Sequence, residues 1–323
     1  MKIGHIDVEP IAAESMGVRS LCTRIQTPNV RLLLDPSAAL SKRNGKEPHP
    51  VEYVRLKQSL ERIFTEARAA DIISVSHYHY DHIRPGFTDF RYTFGSREEL
   101  QRMFHEKTIL AKDYRDHINA SQRRRGYYFE RDLKGIAKEI VWADGLTLEF
   151  GFTEITFSGP LPHGPENTPL GYVVATTVRH ANECVMFVPD VQGPVSSRVA
   201  DYVLSQEPRL VILGGPPTYI DKFAPHLNSA RSNLLSIVSA TPIVVVDHHL
   251  MRSPTWHIWL KPATKVAEEA GHQVLTMACL AGRREECLES QREHLYRVSP
   301  PSPEFMAWLE ATDEYKTKHA PPI

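Results

Sequence analysis

Between residues 77 and 82 the chain reads HYHYDH, which sets His77, His79, Asp81 and His82 within six positions. Imidazole nitrogens and carboxylate oxygens are the donors that a borderline cation such as zinc prefers, so the residue types point to metal chemistry. In an extended loop, residues two apart face the same way, which lets His77 and His79 share one cation. Asp81 and His82 lie further along and suit a neighbouring one. Two cations about 3.5–4 Å apart need more ligands than one short segment offers, so the rest must come from elsewhere. The expected chemistry is hydrolysis: a water bridging two divalent cations is acidified to a hydroxide nucleophile near neutral pH, and the cations polarise the carbonyl or phosphoryl oxygen under attack.

The completing donors stand at the ends of apolar runs. Asp35 ends VRLLLD, His163 follows ITFSGPLP, Asp190 ends VMFVPD, and His248 and His249 follow IVVVD. A strand end fixes the backbone while leaving the side chain at the sheet edge, where open α/β sheets place their chemistry. The surrounding pattern supplies such strands. Val18–Thr27 and Val30–Asp35 alternate with strand period, 51–70 carries a helical stripe, and DIISVS at 71–76 follows as a strand. The 96–138 stretch reads as a polar, mostly helical insertion. Strands return at 139–143, 146–150 and 153–159, with Asp144-Gly145 as a hairpin turn between the first two. Further β-rich runs lead to Asp190 and His249, alternating with helices, and about 280–323 is helix-rich. Two β-rich halves with helices outside predict an α/β fold built as a four-layer αββα sandwich, in a single domain over 1–323.

SVSHYHYDH together with Asp35, His163, Asp190 and His248/His249, in that order, resembles the metallo-β-lactamase superfamily over roughly residues 3–249. The resemblance implies an αββα sandwich with a two-metal hydrolytic centre. By position, His77, His79 and His163 would hold the first metal. Asp81, His82 and a histidine of the DHH triplet would hold the second, Asp190 would bridge both, and Asp35 would support the histidine loop from behind. His248, nearest the strand end, is the expected ligand, and His249 would then be free to protonate a leaving group, with Asp81 orienting at the second metal. INASQRRRGYYFE, PDVQGP and VVVDHHLMR look like a mainly archaeal branch of the superfamily, a likeness that brings no substrate with it.

The remaining signals concern the substrate. From 112 to 138 the chain has eight basic against four acidic residues, and Arg123, Arg124 and Arg125 sit beside aromatics that could stack on bases while the arginines grip phosphates. Arg252, just past the histidine pair, is a candidate contact for a substrate oxyanion. The expected function is therefore a hydrolase of phosphodiesters, including nucleic acid. The alternatives are a thioester, lactone or small-ester hydrolase, and a non-catalytic metal-stabilised binding protein. A diiron and flavin redox reading would call for an acidic residue at His79. The cofactors expected are two divalent ions, zinc first, with manganese or iron as alternatives.

Composition narrows the class without choosing a substrate. Apolar residues at 41% and charged residues at 24% describe an ordinary folded protein, and a net charge of −1 advertises neither nucleic acid nor membrane globally. No apolar run reaches the length that spans a bilayer, so a cytoplasmic location and no membrane partner are expected; the oligomeric state is left open. Cys22, Cys184, Cys279 and Cys287 lack CxxC spacing and read as buried small apolar residues rather than a zinc knuckle or a disulfide framework.

Overall fold

A computed structural model describes residues 1–323. Strands β1 (Lys2–Ile3), β2 (Ile6–Ala13), β3 (Leu21–Gln26), β4 (Arg31–Leu34), β5 (Ile72–Val75), β6 (Thr108–Ala111) and β7 (Glu139–Trp142) pair in chain order into one seven-stranded sheet. Pairing is antiparallel up to β4 and parallel from β4 to β7. The change follows the connections, because parallel neighbours need a crossover. Helix α1 (Pro50–Ala69) joins β4 to β5, α2 (Arg97–Phe104) joins β5 to β6, and α3 (Ala120–Leu133) joins β6 to β7. Helix α1 starts where it does because Pro50 fits the first turn and the Glu52 carboxylate accepts the His49 N–H at 2.7 Å.

The second sheet holds β8 (Thr147–Phe150) and β9 (Thr153–Phe157), which a small hairpin of β10 (Leu161–Pro162) and β11 (Tyr172–Val173) separates from β12 (Thr176–His180), β13 (Glu183–Val188), β14 (Leu210–Gly214), β15 (Ile243–Asp247) and β16 (Gln273–Leu275). Its order is β16-β15-β14-β13-β12-β9-β8. The run from β13 to β16 is parallel, crossed by α4 (Ser197–Ser205), α5 (Leu227–Ala240) and α6 (Trp256–Ala270).

Three apolar cores stack between four layers. Leu32, Leu34 and Ile72 meet Phe187, Leu210 and Ile212 between the sheets. Leu33, Ile73 and Val75 point the other way, onto Leu60, Ile63 and Phe64 of α1. Val211, Leu213 and Val244 pack under α4 to α6. The central strands bury both faces, which is why they read as continuous apolar runs. The expected αββα sandwich is the fold observed.

Three expectations are corrected, and one hairpin was not foreseen. The 96–138 stretch is not a helical insertion: β6 lies within it, between β5 and β7 in the sheet, and its four residues were too short to show a period. Asp144-Gly145 is not a hairpin turn, since β7 ends the first sheet and β8 begins the second. An edge hairpin of β1 and β2 was missed, because Pro10 and the register shift between Pro10 and Ala12 interrupt the alternation of β2. Of the four cysteines, Cys279 is exposed.

The C-terminal segment carries α7 (Met277–Leu280), α8 (Arg292–Val298), α9 (Pro303–Glu310) and α10 (Asp313–Lys318). Phe305 and Trp308 pack edge-on to Tyr53 of α1. No helix is long and apolar enough to cross a membrane.

Glu289, ahead of α8, ties this segment to the first sheet through Arg19, at 2.6 Å from both carboxylate oxygens. Burial opposes its ionisation, but Arg19 outweighs it with help from Arg252 and Arg292 and brings the pKa to about 2. A depressed carboxyl pKa stabilises the fold above the unfolded value near 4.5, and that stability is lost as pH falls toward 2. Glu289→Gln is therefore expected to cost on the order of 3 kcal/mol at pH 7, with the gap to wild type closing below pH 4.5 in urea titrations. An equal gap at pH 7 and pH 2.5 would sink this assignment.

Candidate metal centre

The donors come together because both sheets present carboxyl strand ends to the same edge. Asp35 follows β4, His77 lies two residues beyond β5, Asp190 two residues beyond β13, and His248 directly follows β15. His163 follows β10, and its N–H bonds the Gly171 carbonyl at 2.9 Å. Asp35, Asp190 and His248 all take positive φ, at 47°, 39° and 64°. Each such backbone costs about 1–2 kcal/mol for a residue with a Cβ, and it persists only where the surroundings impose it. At Asp190 the constraint is visible: a Cβ on Gly214 would come within 2.5 Å of the Asp190 nitrogen, so only glycine lets β14 approach so closely.

The two oxygens of Asp190 face two different groups. Its Oδ2 lies 3.3 Å from His77 Nε2 and 3.1 Å from His163 Nε2, and its Oδ1 lies 3.3 Å from His82 Nε2 and 3.1 Å from His248 Nε2. Donor atoms of His77, His79, His163 and Asp190 lie within 4.8 Å of one another, as do those of Asp81, His82 and His248. His77, His82, His163, Asp190 and His248 form a buried floor, while His79, Asp81 and His249 are partly exposed and form the rim.

A hydrogen-bond chain assigns the histidine tautomers. The Ser76 N–H and O–H donate to the two oxygens of Asp35 at 2.7 and 2.6 Å. The spent Ser76 hydroxyl then accepts from His77 Nδ1 at 3.0 Å, and His82 Nδ1 donates to Asp35 Oδ2 at 2.7 Å. In their neutral forms both imidazoles therefore turn a bare Nε2 lone pair toward a buried carboxylate. Lone pairs facing lone pairs away from water repel unless a positive charge lies between them. Both nitrogens of His163, both oxygens of Asp190, and Nδ1 of His248 find no hydrogen-bond partner. This donor set fits a divalent metal site, and Asp35 holds the orientation of the His82 ring.

The electrostatics agree. Burial, then the neighbouring His82, pushes His77 down to about 4. Burial likewise lowers His79. Burial opposes ionisation of Asp190, yet His248, His82 and His249 together hold its carboxyl well below the usual range. His82 moves the other way, because Asp190 and Asp35 outweigh burial and draw positive charge to that ring.

Of the DHH histidines, His248 is fully buried in the second donor group and His249 stands half-buried beside it, with ring centroids 4.3 Å apart. His249 shares a donor group only with Asp190 and His248, and its Nδ1 has no partner. Arg252 is a correction. The residue is buried at 4% exposure, its guanidinium ion-paired to Glu14, 3.4 Å from Asp81 Oδ2 and 3.5 Å from the Tyr219 hydroxyl. With its donors engaged, it positions Asp81 instead of meeting a substrate oxyanion. The arginine run divides. Arg123 turns to the Arg115 carbonyl, whereas Arg125 stacks 4.6 Å over Tyr80 and Arg124 opens onto a cavity beside it.

Sequence reasoning missed three residues. Glu14 pairs with Arg252 and lies 3.8 Å from His248 Nδ1. Asp247 anchors the DHH turn by accepting the Ser15, His248 and Met277 N–H groups at 3.1, 2.7 and 2.9 Å. Ser76 links Asp35 to His77. The only signal for Glu14 was an acidic residue inside the small apolar stretch IAAESMG.

No family model matches the chain. Among solved structures, CmlA, a diiron β-hydroxylase from Streptomyces venezuelae, superposes at a TM-score of 0.50 and 12% identity over 85% of this chain; the match spans 53% of that longer protein. A metal-dependent hydrolase of the β-lactamase superfamily covers 84% of this chain and 96% of its own at a TM-score of 0.48 and 11% identity. In sequence, a UPF0282 protein from Pyrobaculum calidifontis is 40% identical over 293 residues, 90% of this chain and 95% of the relative. Another from Methanopyrus kandleri is 37% identical over 292 residues, 89% of this chain and 98% of the relative. On that identity and coverage, the chain belongs to the UPF0282 protein family, and its two seven-stranded sheets with helices outside form an αββα sandwich.

Proposed function

We propose that this protein is a dinuclear metal-dependent hydrolase of phosphodiesters. The observation behind the reading is Asp190, whose two unpartnered oxygens face separate histidine groups at 3.1–3.3 Å. His77, His79 and His163 would hold one cation, Asp81, His82 and His248 the other, with Asp190 shared. When bound, two divalent ions, zinc by donor type with manganese or iron as alternatives, supply an acidified water and Lewis acidity toward the attacked oxygen.

The chain's own residues do the rest. Asp35 and Ser76 keep the Nε2 lone pairs of His77 and His82 aimed inward. The buried floor excludes water, which strengthens every charge interaction at the reacting bond. Asp81, held as a carboxylate by His82, His248 and Arg252 against the cost of burial, orients groups at the rim. His249, half-buried at the rim, is placed to meet the leaving group through its ring N–H. Phosphodiesters are favoured over carboxylic esters by the cationic surface flanking the loop, where Arg97, Arg124 and Arg125 border one cavity.

The test is metal analysis of the purified protein with a panel of phosphodiester, thioester and lactone substrates, and His77→Ala as control. The expected result is about two metal ions per chain and phosphodiester turnover abolished by a chelator and restored by added zinc or manganese. Binding of metal should also raise the melting temperature, since a ligand of the native state stabilises it. Thioester or lactone turnover alone would replace the substrate reading. Metal content near zero, with chelator-indifferent activity, would remove the hydrolytic centre altogether.

A further inference from the structure

Next to the metal loop, lined by its Tyr80 and by residues 83–87 just after it, lies a cavity of about 420 Å³. Its floor is apolar, from Ile83, Leu100 and Phe129, and its rim carries Tyr80, Phe87, Arg97, Arg124, Arg125 and Tyr128. The volume falls in the range of sites that enclose a small organic ligand, about 300–1,000 Å³.

The charges around this cavity are unequal in what they are free to do. Arg131 is committed to Asp132 at 2.6 Å, and Arg84 is spent on the Thr93 and Phe94 carbonyls at 2.7 and 2.9 Å. Arg125 reaches only the Tyr78 carbonyl, at 3.3 Å, and lies over the Tyr80 ring. Arg124 is exposed, and Arg97 opens the first turn of α2. Three guanidiniums thus border one apolar-floored cavity whose rim carries two exposed rings, Phe87 at 48% and Tyr128 at 43%, with Arg131 4.6 Å over one face of Tyr128 and the other left open to a base. Exposed rings beside guanidiniums that no carboxylate pairs match a ligand that is anionic at one end and flat and apolar at the other.

We propose that this cavity is a subsite for one nucleotide of a single-stranded nucleic acid, the guanidiniums taking phosphate and Tyr128 or Phe87 stacking on the base. The assignment rests on the phosphodiesterase reading above for its link to catalysis. Tyr80 provides that link: it lines the cavity, and its chain neighbours His79 and Asp81 stand at the rim of the metal centre. A strand seated in the cavity would continue past this loop toward the donors. Arg123 reaches the Arg115 carbonyl at 3.4 Å and does not line the cavity.

The test measures binding of a short fluorescein-labelled oligouridylate to the full chain, with turnover blocked by His77→Ala, and competition by uridine monophosphate, inorganic phosphate and an acidic peptide. Arg124→Ala, Arg97→Ala and Tyr128→Ala are each expected to weaken binding about tenfold, and Arg123→Ala by less than about twofold. Each arginine removed from the cavity should also flatten the salt dependence by about one phosphate contact. Equal losses from Arg123→Ala and Arg124→Ala would overturn the subsite, leaving only a charged helix face. Competition by phosphate or peptide as strong as by the nucleotide would overturn base recognition. The two readings fail separately. Phosphodiester turnover in an Arg124→Ala chain with unchanged KM would remove the subsite and keep the hydrolase; cavity-dependent binding without turnover by the wild type would keep the subsite and remove the hydrolase.

Discussion

Replacing Asp190 with asparagine is expected to lower phosphodiester turnover by on the order of 10³-fold and to reduce bound metal from about two ions per chain to one or none. Asparagine is the informative change because the residue sits at a φ of 39°. Asn tolerates that backbone, whereas Ala would add strain and mix a folding defect into the result. The substitution keeps shape and one oxygen but exchanges the other for a donor NH₂ group. That group would point at either the His77 and His163 pair or the His82 and His248 pair, and it cannot share a cation. Removing one buried negative charge also weakens the field that draws a cation to both sides. Metal content by elemental analysis and steady-state rates check this together, with a denaturant melt to confirm the fold. Full metal content and rates within a few-fold of wild type would show that Asp190 does not bridge.

Arg252→Met should produce the largest loss of stability, about 3–5 kcal/mol in urea titrations, because it leaves Glu14 buried at 3% exposure without its partner. Breaking one side of a buried pair costs more than removing both, so adding Glu14→Gln should return most of that loss. Activity should not return with it. Asp81 has Arg252 Nη2 3.4 Å from its Oδ2, and without that group the carboxylate is free to leave the rim position beside His248. The expected pattern is a stable double variant with metal affinity and turnover still reduced by about 10–100-fold, the usual effect of losing a residue that orients a ligand. A double variant that recovers both stability and turnover would reduce Arg252 to packing alone.

HYHYDH was legible because its ligands are neighbours in the chain. Asp35, Asp190 and His248 were legible for a related reason: each follows an apolar run buried on both faces, and such runs show in composition. Where the period was short or interrupted, reading failed. The four residues of β6 could not display alternation inside a polar stretch, and Pro10 hid β2. Asp144-Gly145 has turn chemistry, but the dipeptide cannot say whether its flanking strands pair or part into two sheets. Arg252 failed differently, because its partner Glu14 lies 238 residues away and nothing near either residue encodes the pair.

The sequence by itself determined the donor types, their order, the strands that carry them and hence the layered architecture, since these follow from local periodicity and from which residues avoid water. Tertiary structure alone decided that Asp190 turns one oxygen to each histidine group, that His248 occupies the buried place and His249 the rim, that Arg252 is bound to Glu14 and Asp81, and that Arg124 and Arg125 part from Arg123 to line a cavity with Arg97. Those outcomes depend on distances between segments far apart in the chain, set by how the two sheets pack across their shared core and which strand ends that packing brings to one edge.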